Sequence, residues 1–264
     1  MAIGSVLAKA SNTFAGKLLS LLFGTSDVHS HTRLWPILTY FKSRRTETLE
    51  ILEIGCGTGG VLIEICSIGQ MFSATGVDIN RGSIEQANRR LTRVALDRDI
   101  KFLSGDALEW DNGETYDVIV LADVLEHLCD TKHVLDMVYR RLRPHGTLLV
   151  SVPTPMYSRV FGREFHELVG HVKDGYTKEK LLSECSTFLV VNYSYNTGPL
   201  FWLPCALSYR LIRRVKYLSI EGILDYCLVP FASLDLWHPE KWSCSLFVEF
   251  TPRERRQLSV SAAP

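Results

Sequence analysis

Short apolar runs alternate with segments of helical spacing over much of this chain. Val134, Leu135, Val138 and Leu142 lie on one face of a predicted helix, which Pro144-His-Gly146 would end. The runs predicted to be strands are Leu49–Ile54, a segment ending at Val77-Asp78, Ile100–Leu103, a segment starting at Tyr116, Thr147–Val152, Phe188–Tyr195 and Cys244–Phe250. The first two strands and a helix expected to start near Thr58 form a βαβ unit.

Three glycines follow the first strand directly. Gly55, Gly57 and Gly59 stand at alternate positions, where the missing Cβ atoms allow a ligand to approach the backbone closely. Asp78 lies 19 residues beyond Gly59, at the end of the second strand. That spacing lets its carboxylate accept hydrogen bonds from two ribose hydroxyls. Together these features predict a nucleoside-binding half-site.

The residues around the turn distinguish between two nucleoside ligands. A dinucleotide site usually has the spacing G-x-G-x-x-G, with the pyrophosphate at the helix N-terminus, whereas this chain has G-x-G-x-G. The carboxylate of Glu53, two positions before Gly55, would repel a pyrophosphate but suit the cationic amino acid end of S-adenosylmethionine. The turn resembles the first motif of the class I S-adenosylmethionine-dependent methyltransferases, E/D-x-G-x-G-x-G. A buried βαβ turn without a ligand is the plain alternative.

The resemblance extends over residues 49 to 153 and includes the segment Ser104-Gly-Asp106-Ala107. It implies an α/β fold with a Rossmann-like seven-stranded sheet, mostly parallel with an antiparallel last strand, and with helices on both faces. In the family, the acid at Asp106 takes the adenine amino group and the amide of Ala107 takes a ring nitrogen. The resemblance implies that the cofactor-binding residues are Glu53, Gly55, Cys56, Gly57, Gly59, Asp78, Ile79, Asp106, Ala107 and Asp123.

A second cluster of polar residues follows the fourth strand. Asp123-Val-Leu-Glu126-His127 resembles the E-x-x-E-H segment of ubiquinone-pathway O-methyltransferases and of small-RNA 2′-O-methyltransferases. In those families carboxylates and a histidine hold a divalent ion, so Asp123, Glu126, His127 and His171 are candidate ligands for Mg²⁺ or Mn²⁺. In many other methyltransferases L-E-H binds no metal, and the histidine lines the cofactor pocket. Without a metal, His127, His166 or His171 is the candidate general base.

The limits of the predicted domain leave two unusual segments. Residues 1–45 form a predicted helical leader, 46–196 the methyltransferase core, 197–241 an inserted cap, and 242–264 the last strand and tail. The cap is apolar over 198–209, basic over 210–216 and apolar again over 220–236. It is predicted either to cover the substrate as a lid or to lie on a membrane surface, with its basic residues near anionic head groups.

Composition excludes several classes of function. The 264 residues include 29 basic and 29 acidic ones, so no overall charge attracts nucleic acid. Seven cysteines without C-x-x-C spacing favour a reducing, cytoplasmic setting. If the cap lies on a membrane, the protein is expected at the inner face of that membrane. The sequence therefore predicts O-methylation of a small-molecule or lipid-like acceptor. N- or C-methylation, an NAD(P)-dependent oxidoreductase and a non-catalytic cofactor-binding subunit are the alternatives.

Overall fold

The computed structural model describes residues 28–94, 96–106, 109–110, 112–162, 170–200, 202–203, 206 and 238–253. Among them, the strands are β1 (Leu49–Ile54), β2 (Phe72–Asp78), β3 (Ile100–Ser104), β4 (Tyr116–Ala122), β5 (Leu142–Pro153), β6 (Phe188–Asn196) and β7 (Ser245–Pro252). The helices are α1 (Val28–Ser43), α2 (Gly60–Ile68), α3 (Arg81–Val94), α4 (Thr131–Arg141), α5 (Pro155–Phe161) and α6 (Lys178–Glu184). Short 3₁₀ turns span Leu125–His127 and Glu240–Trp242.

The strands form one sheet in the order β3-β2-β1-β4-β5-β7-β6. β1 pairs in parallel with β2 and β4, and β7 pairs antiparallel with both β5 and β6. The predicted seven-stranded sheet with an antiparallel last strand is confirmed. Strand order reverses at β1: β2 and β3 lie on one side of it, and β4 and β5 lie on the other. This is the switch point at which α/β sheets bind ligands.

Two hydrophobic cores cover the two faces of this sheet. Leu34, Ile37, Leu38 and Phe41 of α1 are buried at helical spacing and pack with α2, α3 and Ile51 of β1. On the other face, α4 and α6 pack against Leu52 and its neighbours. Adjacent residues of β1 thus enter opposite cores, as the period of a strand requires. Helices lie on both faces, as predicted.

The structure differs from the sequence prediction at β5. Pro144-His-Gly146 was expected to separate α4 from a strand starting at Thr147, but β5 already begins at Leu142, which pairs with Tyr116 across a bulge. Arg143 holds this early part by ion pairs of 2.6 Å to Glu50 and 2.6 Å to Asp117. A tertiary ion-pair network therefore extends the strand beyond its apolar core.

Helix α5 has no counterpart in the sequence prediction either. Thr154 caps this helix by accepting a hydrogen bond from the amide of Met156 at 3.2 Å, and Pro155 stands in its first turn. A threonine followed by proline is a known start signal. Helix α6 is capped in a similar way, since the Thr177 hydroxyl accepts a hydrogen bond from the amide of Lys180 at 3.3 Å.

Several sequence predictions fall outside the described residues. They concern the leader over residues 1–27, the basic and second apolar parts of the cap, and the individual residues Ala107 and His166. The described part of the cap includes helical residues at 199–200, 202–203 and 206. No helix within the described ranges is long and apolar enough to cross a membrane.

Candidate functional site

The polar residues singled out from the sequence lie at one edge of the sheet. β1, β2, β3 and β4 run in parallel, so their carboxyl ends meet there. The glycine turn follows β1, Asp78 ends β2, Asp106 follows β3 and Asp123 follows β4. The fold thereby gathers residues that are up to 70 positions apart (from Glu53 to Asp123) into one candidate site.

The glycine turn has a backbone conformation that side chains rarely adopt. Gly55, Gly57 and Gly59 have φ angles of 72°, 52° and 73°. A Cβ atom on Gly59 would lie 2.5 Å from the Phe102 ring, so this glycine lets α2 approach the sheet. A Cβ atom on Gly57 would meet nothing within 4 Å. Gly57 therefore faces open space at the site, whereas Gly59 is required by packing.

Asp78 connects the glycine turn to the second strand. One carboxylate oxygen accepts a hydrogen bond from the amide of Gly57 at 2.8 Å, and the other accepts from the amide of Asn80 at 2.8 Å. Each oxygen has a second lone pair for a ribose hydroxyl. Ile79, which follows, is 69% exposed and could cover a bound nucleoside.

Glu53 lies beneath the turn and is almost fully buried. Burial, and then the negative charge of Asp78, raise the pKa of its carboxyl group to about 8, against the opposing effect of a backbone hydrogen bond from Leu62. Its Oε2 atom is buried and has no hydrogen-bond partner among the described residues. A cationic ligand would both satisfy this oxygen and favour its ionised form, which fits the ammonium and sulfonium of S-adenosylmethionine.

Cys56 also lies in the turn, in surroundings that disfavour a reactive thiolate. Its side chain is buried, and burial followed by the charges of Glu53 and Asp78 raises the pKa of its thiol far above neutrality. Its sulfur would lie 2.9 Å from a Cβ atom on Gly76. Cys56 is thus a small packing residue between the turn and β2.

Asp106 stands at the start of a tight turn after β3. Its carbonyl oxygen accepts hydrogen bonds from the amides of Glu109 at 3.1 Å and Trp110 at 2.7 Å. The Trp110 ring lies against Gly105, where a Cβ atom would be 2.8 Å from the indole. Trp110 was not singled out from the sequence. Its aromatic character next to an adenine-binding motif is the signal that could have indicated it.

Asp123 has an unusual backbone conformation directly after β4, with a φ angle of 56°. Non-glycine residues with positive φ are uncommon and occur often at functional sites. Its amide donates a hydrogen bond to the carbonyl of Ser151 at 2.9 Å, which fixes the exit of β4 against β5. The chain then turns through the 3₁₀ segment that bears Glu126 and His127.

Glu126, His127 and His171 come together although 44 residues separate His127 from His171. Their potential ligand atoms lie within 4.8 Å of one another, and the two imidazole rings meet edge to face at 4.8 Å. Glu126 Oε1 lies 3.9 Å from His171 Nε2, with both side chains buried. Asp123 is not part of this group among the described residues.

His127 is held in one tautomer by its contact with Gly170. Its Nδ1 lies 3.0 Å from the carbonyl oxygen of Gly170, which can only accept. Nδ1 therefore carries the proton in the neutral ring, and Nε2 has a lone pair. The exposed ring presents this nitrogen as a candidate base.

A buried polar network fixes the turn that carries these side chains. The Tyr176 hydroxyl lies 3.2 Å from the carbonyl oxygen of Leu125 and 3.0 Å from Glu184 Oε2, which also accepts from Thr131 at 2.7 Å. Lys173 donates to the Tyr176 hydroxyl at 2.7 Å. None of these residues was expected from the sequence, since their polar contacts join segments that are distant in the chain.

The donor set at Glu126, His127 and His171 does not match the magnesium site that the sequence suggested. One carboxylate and two imidazoles suit metals such as Zn²⁺ or Fe²⁺, whereas the predicted Mg²⁺ and Mn²⁺ favour a shell of oxygen atoms. A metal role for this cluster remains a prediction. The cofactor site fits better: an open cradle at Gly57, an orphaned buried oxygen on Glu53 and a carboxylate on Asp78 match an adenosyl ligand with a cationic end.

Comparison with known proteins agrees with this geometry. Residues 21–184 match a family model described as a methyltransferase domain. The ubiquinone biosynthesis O-methyltransferase of Bartonella quintana is 36% identical over 106 residues, which cover 40% of this chain and 41% of that protein. The sterol 24-C-methyltransferase of Debaryomyces hansenii is 30% identical over 106 residues, which cover 40% and 28%. The chain thus spans less than half the length of these two relatives.

A solved structure gives the same fold over a longer range. The N-methyltransferase NodS from Bradyrhizobium japonicum WM9, in complex with S-adenosyl-l-homocysteine, matches 83% of this chain and 85% of its own chain. The TM-score is 0.52 at 18% identity, so the likeness is one of fold. The family model spans more than half of the sequence. The chain therefore belongs to the methyltransferase-domain family, and its fold is that of the class I S-adenosylmethionine-dependent methyltransferases.

Proposed function

We propose that this protein transfers a methyl group from S-adenosylmethionine to a hydroxyl oxygen of a small-molecule or lipid-like acceptor. The observation that carries the proposal is the pair His127 and His171 with Glu126 at the carboxyl end of β4, beside the predicted cofactor site. A hydroxyl group must lose its proton as the new bond forms. A neutral imidazole at this place is the group that such a reaction needs.

The cofactor would lie along the carboxyl ends of β1, β2 and β3. When bound, S-adenosylmethionine supplies an electrophilic methyl carbon; the acceptor oxygen bonds to it, and the carbon–sulfur electron pair stays on a neutral sulfur. Glu53 offers its carboxylate to the cationic end, Asp78 accepts from the ribose hydroxyls, and Asp106 accepts from the adenine amino group. Gly57 keeps the space beside them open.

His127 is the candidate general base. Because Nδ1 donates to the carbonyl oxygen of Gly170, Nε2 can take the acceptor's proton as the oxygen attacks. The imidazolium that results is stabilised by the buried carboxylate of Glu126, whose oxygen lies within 4.8 Å. His171, beside Glu126 and the His127 ring, keeps the pair oriented. This route requires no magnesium ion.

Relatives methylate different atoms, so the acceptor atom needs a direct test. The names of the relatives and of the matched structure include O-, C- and N-methyltransferases. S-adenosylmethionine with an isotopically labelled methyl group would be incubated with the protein and fractionated extracts of small molecules and lipids. Mass spectrometry and NMR of the labelled product then identify the atom that carries the methyl group. We expect a methyl ether or ester, formed equally with a chelator present.

The matched variants are His127→Asn and His145→Asn. Asparagine at 127 keeps a donor for Gly170 but lacks the second ring nitrogen, and His145 is exposed at the other end of β5. We expect His127→Asn to lower turnover roughly a hundredfold to a thousandfold, with unchanged S-adenosylhomocysteine affinity, and His145→Asn to change neither. Undiminished turnover in His127→Asn, or a product methylated on nitrogen or carbon, would contradict the proposal.

A further inference from the structure

A cleft of about 480 Å³ lies against helix α5. Its walls come from α5, from the described helical residues of the cap, and from the 3₁₀ turn Glu240–Trp242. They include Met156, Arg159, Trp202, Leu203, Lys241 and Trp242. A volume of this size is within the usual range of small-molecule sites.

The apolar walls of the cleft are exposed yet held in place. Leu203 is 50% exposed and Trp242 is 46% exposed, although both are large apolar side chains. The indole N–H of Trp202 donates to the carbonyl oxygen of Trp242 at 2.8 Å, which ties the cap to the 3₁₀ turn. Exposed apolar surface rimmed by polar residues is typical of a binding site. Because the indole N–H already forms this hydrogen bond, Trp202 can offer the faces of its ring to an apolar ligand.

The charge of the cleft has one sign. Arg159 and Lys241 both line it, and no carboxylate is among its lining residues in the described part of the chain. The Lys241 ammonium lies 5.8 Å from the centre of the Trp242 ring, so a positive charge borders the apolar wall. Two cations beside two indoles and a leucine are complementary to a molecule with an anionic group and an apolar body.

Helix α5 places the cleft next to the candidate reaction centre. The Tyr157 ring lies 5.7 Å from the His171 ring on one side of this helix. Met156, Arg159 and Val160 line the cleft at helical spacing, and Val160 packs with Tyr157 in one small core. Helix α5 therefore contacts both the cleft, through Met156, Arg159 and Val160, and the histidine pair, through Tyr157.

We propose that this cleft binds the non-reacting part of the acceptor, and that the acceptor is an amphiphilic anion. Its carboxylate or phosphate group contacts Arg159 and Lys241, and its apolar body packs against Trp202, Trp242 and Leu203. The identification of the ligand as the methyl acceptor rests on the proposed function. Binding of an amphiphilic anion in the cleft is measured independently of that function.

The experiment is calorimetric titration of the full chain with four probes of equal alkyl length: decanoate, decyl phosphate, decanol and decyltrimethylammonium. The anions are expected to bind at least about tenfold more tightly than the alcohol, and the cation more weakly than either anion. This comparison uses the unaltered protein, so it does not depend on the folding of a variant. Equal affinity for decanol and the two anions would overturn the proposal.

The cations are tested with the double variant Arg159→Gln/Lys241→Gln. Its matched control is Arg89→Gln/Lys101→Gln, which removes two exposed cations from surface ion pairs elsewhere. We expect the first variant to weaken decanoate and decyl phosphate about tenfold, leave decanol within about twofold, and leave S-adenosylhomocysteine unchanged. The control should change none of these affinities. Unchanged anion binding in the first variant would overturn the proposal.

A vesicle arm distinguishes a lipid head group from a free anion. Vesicles of phosphatidylcholine with and without phosphatidylglycerol are sedimented with the protein. If the protein sediments only with the anionic vesicles, and the Arg159→Gln/Lys241→Gln variant does not, the acceptor is a lipid. If the protein binds the free anions but does not sediment with vesicles, the acceptor is a soluble molecule. Failure of S-adenosylhomocysteine to bind would contradict the proposed function. The anion titrations would still show whether the cleft binds amphiphilic anions.

Discussion

Glu53 carries a carboxyl group that folding removes from water and places beside Asp78. Its pKa rises from an ordinary value near 4.5 to about 8. The folded state therefore binds this proton more tightly than the unfolded chain does. The stabilisation from that proton is complete below about pH 4.5 and is lost as the pH rises through 8.

Replacement of this carboxyl group should remove that pH dependence. We expect Glu53→Gln to be more stable than the parent protein near pH 8, by an amount on the order of a few kcal/mol, and the difference to shrink toward about pH 5. Urea unfolding of both proteins across this range measures it. Glu50→Gln, at an exposed position of the same strand, is the control. A constant difference between the two proteins would contradict the assigned ionisation.

The three residues Gly57, Gly59 and Gly113 have similar positive φ angles but different surroundings. Gly59→Ala should lower the free energy of unfolding by about 2–4 kcal/mol, because the new methyl group meets Phe102 and Ala87. Gly57→Ala should cost only about 1 kcal/mol of strain but weaken S-adenosylhomocysteine binding, since the methyl group enters the ligand's space. Gly113→Ala, also open to 4 Å, should show the strain without the binding loss. Calorimetry measures the affinity for S-adenosylhomocysteine, and thermal unfolding measures stability. Equal S-adenosylhomocysteine affinity in the Gly57 and Gly113 variants would contradict the placement of the ligand beside Gly57.

At the scale of elements, the turn that bears Glu126 and His127 depends on contacts from two other segments. The carbonyl oxygen of Glu126 accepts from the amides of Val172 at 3.0 Å and Lys173 at 3.3 Å. Gly175, with a φ angle of 99°, passes so close to Thr154 that a Cβ atom would lie 2.5 Å from its backbone. Residues 172–176 thus pack against the end of β5 and position Tyr176 beneath the turn.

Removal of the Tyr176 hydroxyl tests this support. Tyr176→Phe leaves the half-buried Glu184 carboxylate and the Leu125 carbonyl each short of one contact, so we expect a loss of about 1–3 kcal/mol in the free energy of unfolding. Turnover should fall while S-adenosylhomocysteine affinity holds, because the network supports His127 and not the glycine turn. Tyr193→Phe, on the exposed face of β6, should change neither quantity. Denaturant titration and steady-state kinetics provide the readouts, and a matching loss of cofactor affinity would show that the network acts elsewhere.

At the scale of the whole molecule, the cofactor would bridge the carboxyl ends of the three strands β1, β2 and β3. A ligand that binds only the folded protein stabilises it by about 2.7 kcal/mol at a concentration of 100 times Kd. For a chain of this length, that corresponds to roughly 5–10 °C in Tm. We expect this shift with S-adenosylhomocysteine and none with NADH, measured by scanning calorimetry. A shift with NADH alone would place the protein among the nicotinamide-dependent oxidoreductases.

Local sequence determined the frame of this protein. Apolar runs predicted the seven strands and their approximate limits, and in the central strands β1 and β4 those runs reflect burial on both faces of the sheet. The glycine spacing, Glu53 and Asp78 predicted a cofactor turn, since those features depend on residues close together along the chain. Even so, Thr154 and Pro155 carry the start signal of α5, a helix that is absent from the sequence prediction.

Tertiary structure alone decided the arrangement of the remaining groups. Only the packed sheet brings His171 to His127 and Glu126 while leaving Asp123 out of that group, because a separation of 44 residues carries no information on distance. The tautomer of His127 depends on the carbonyl of Gly170, and the pKa of Glu53 depends on burial beneath the turn. The cleft beside α5 likewise exists only where three distant segments meet. Each of these properties is set by distance and solvent exclusion, which the order of residues does not encode locally.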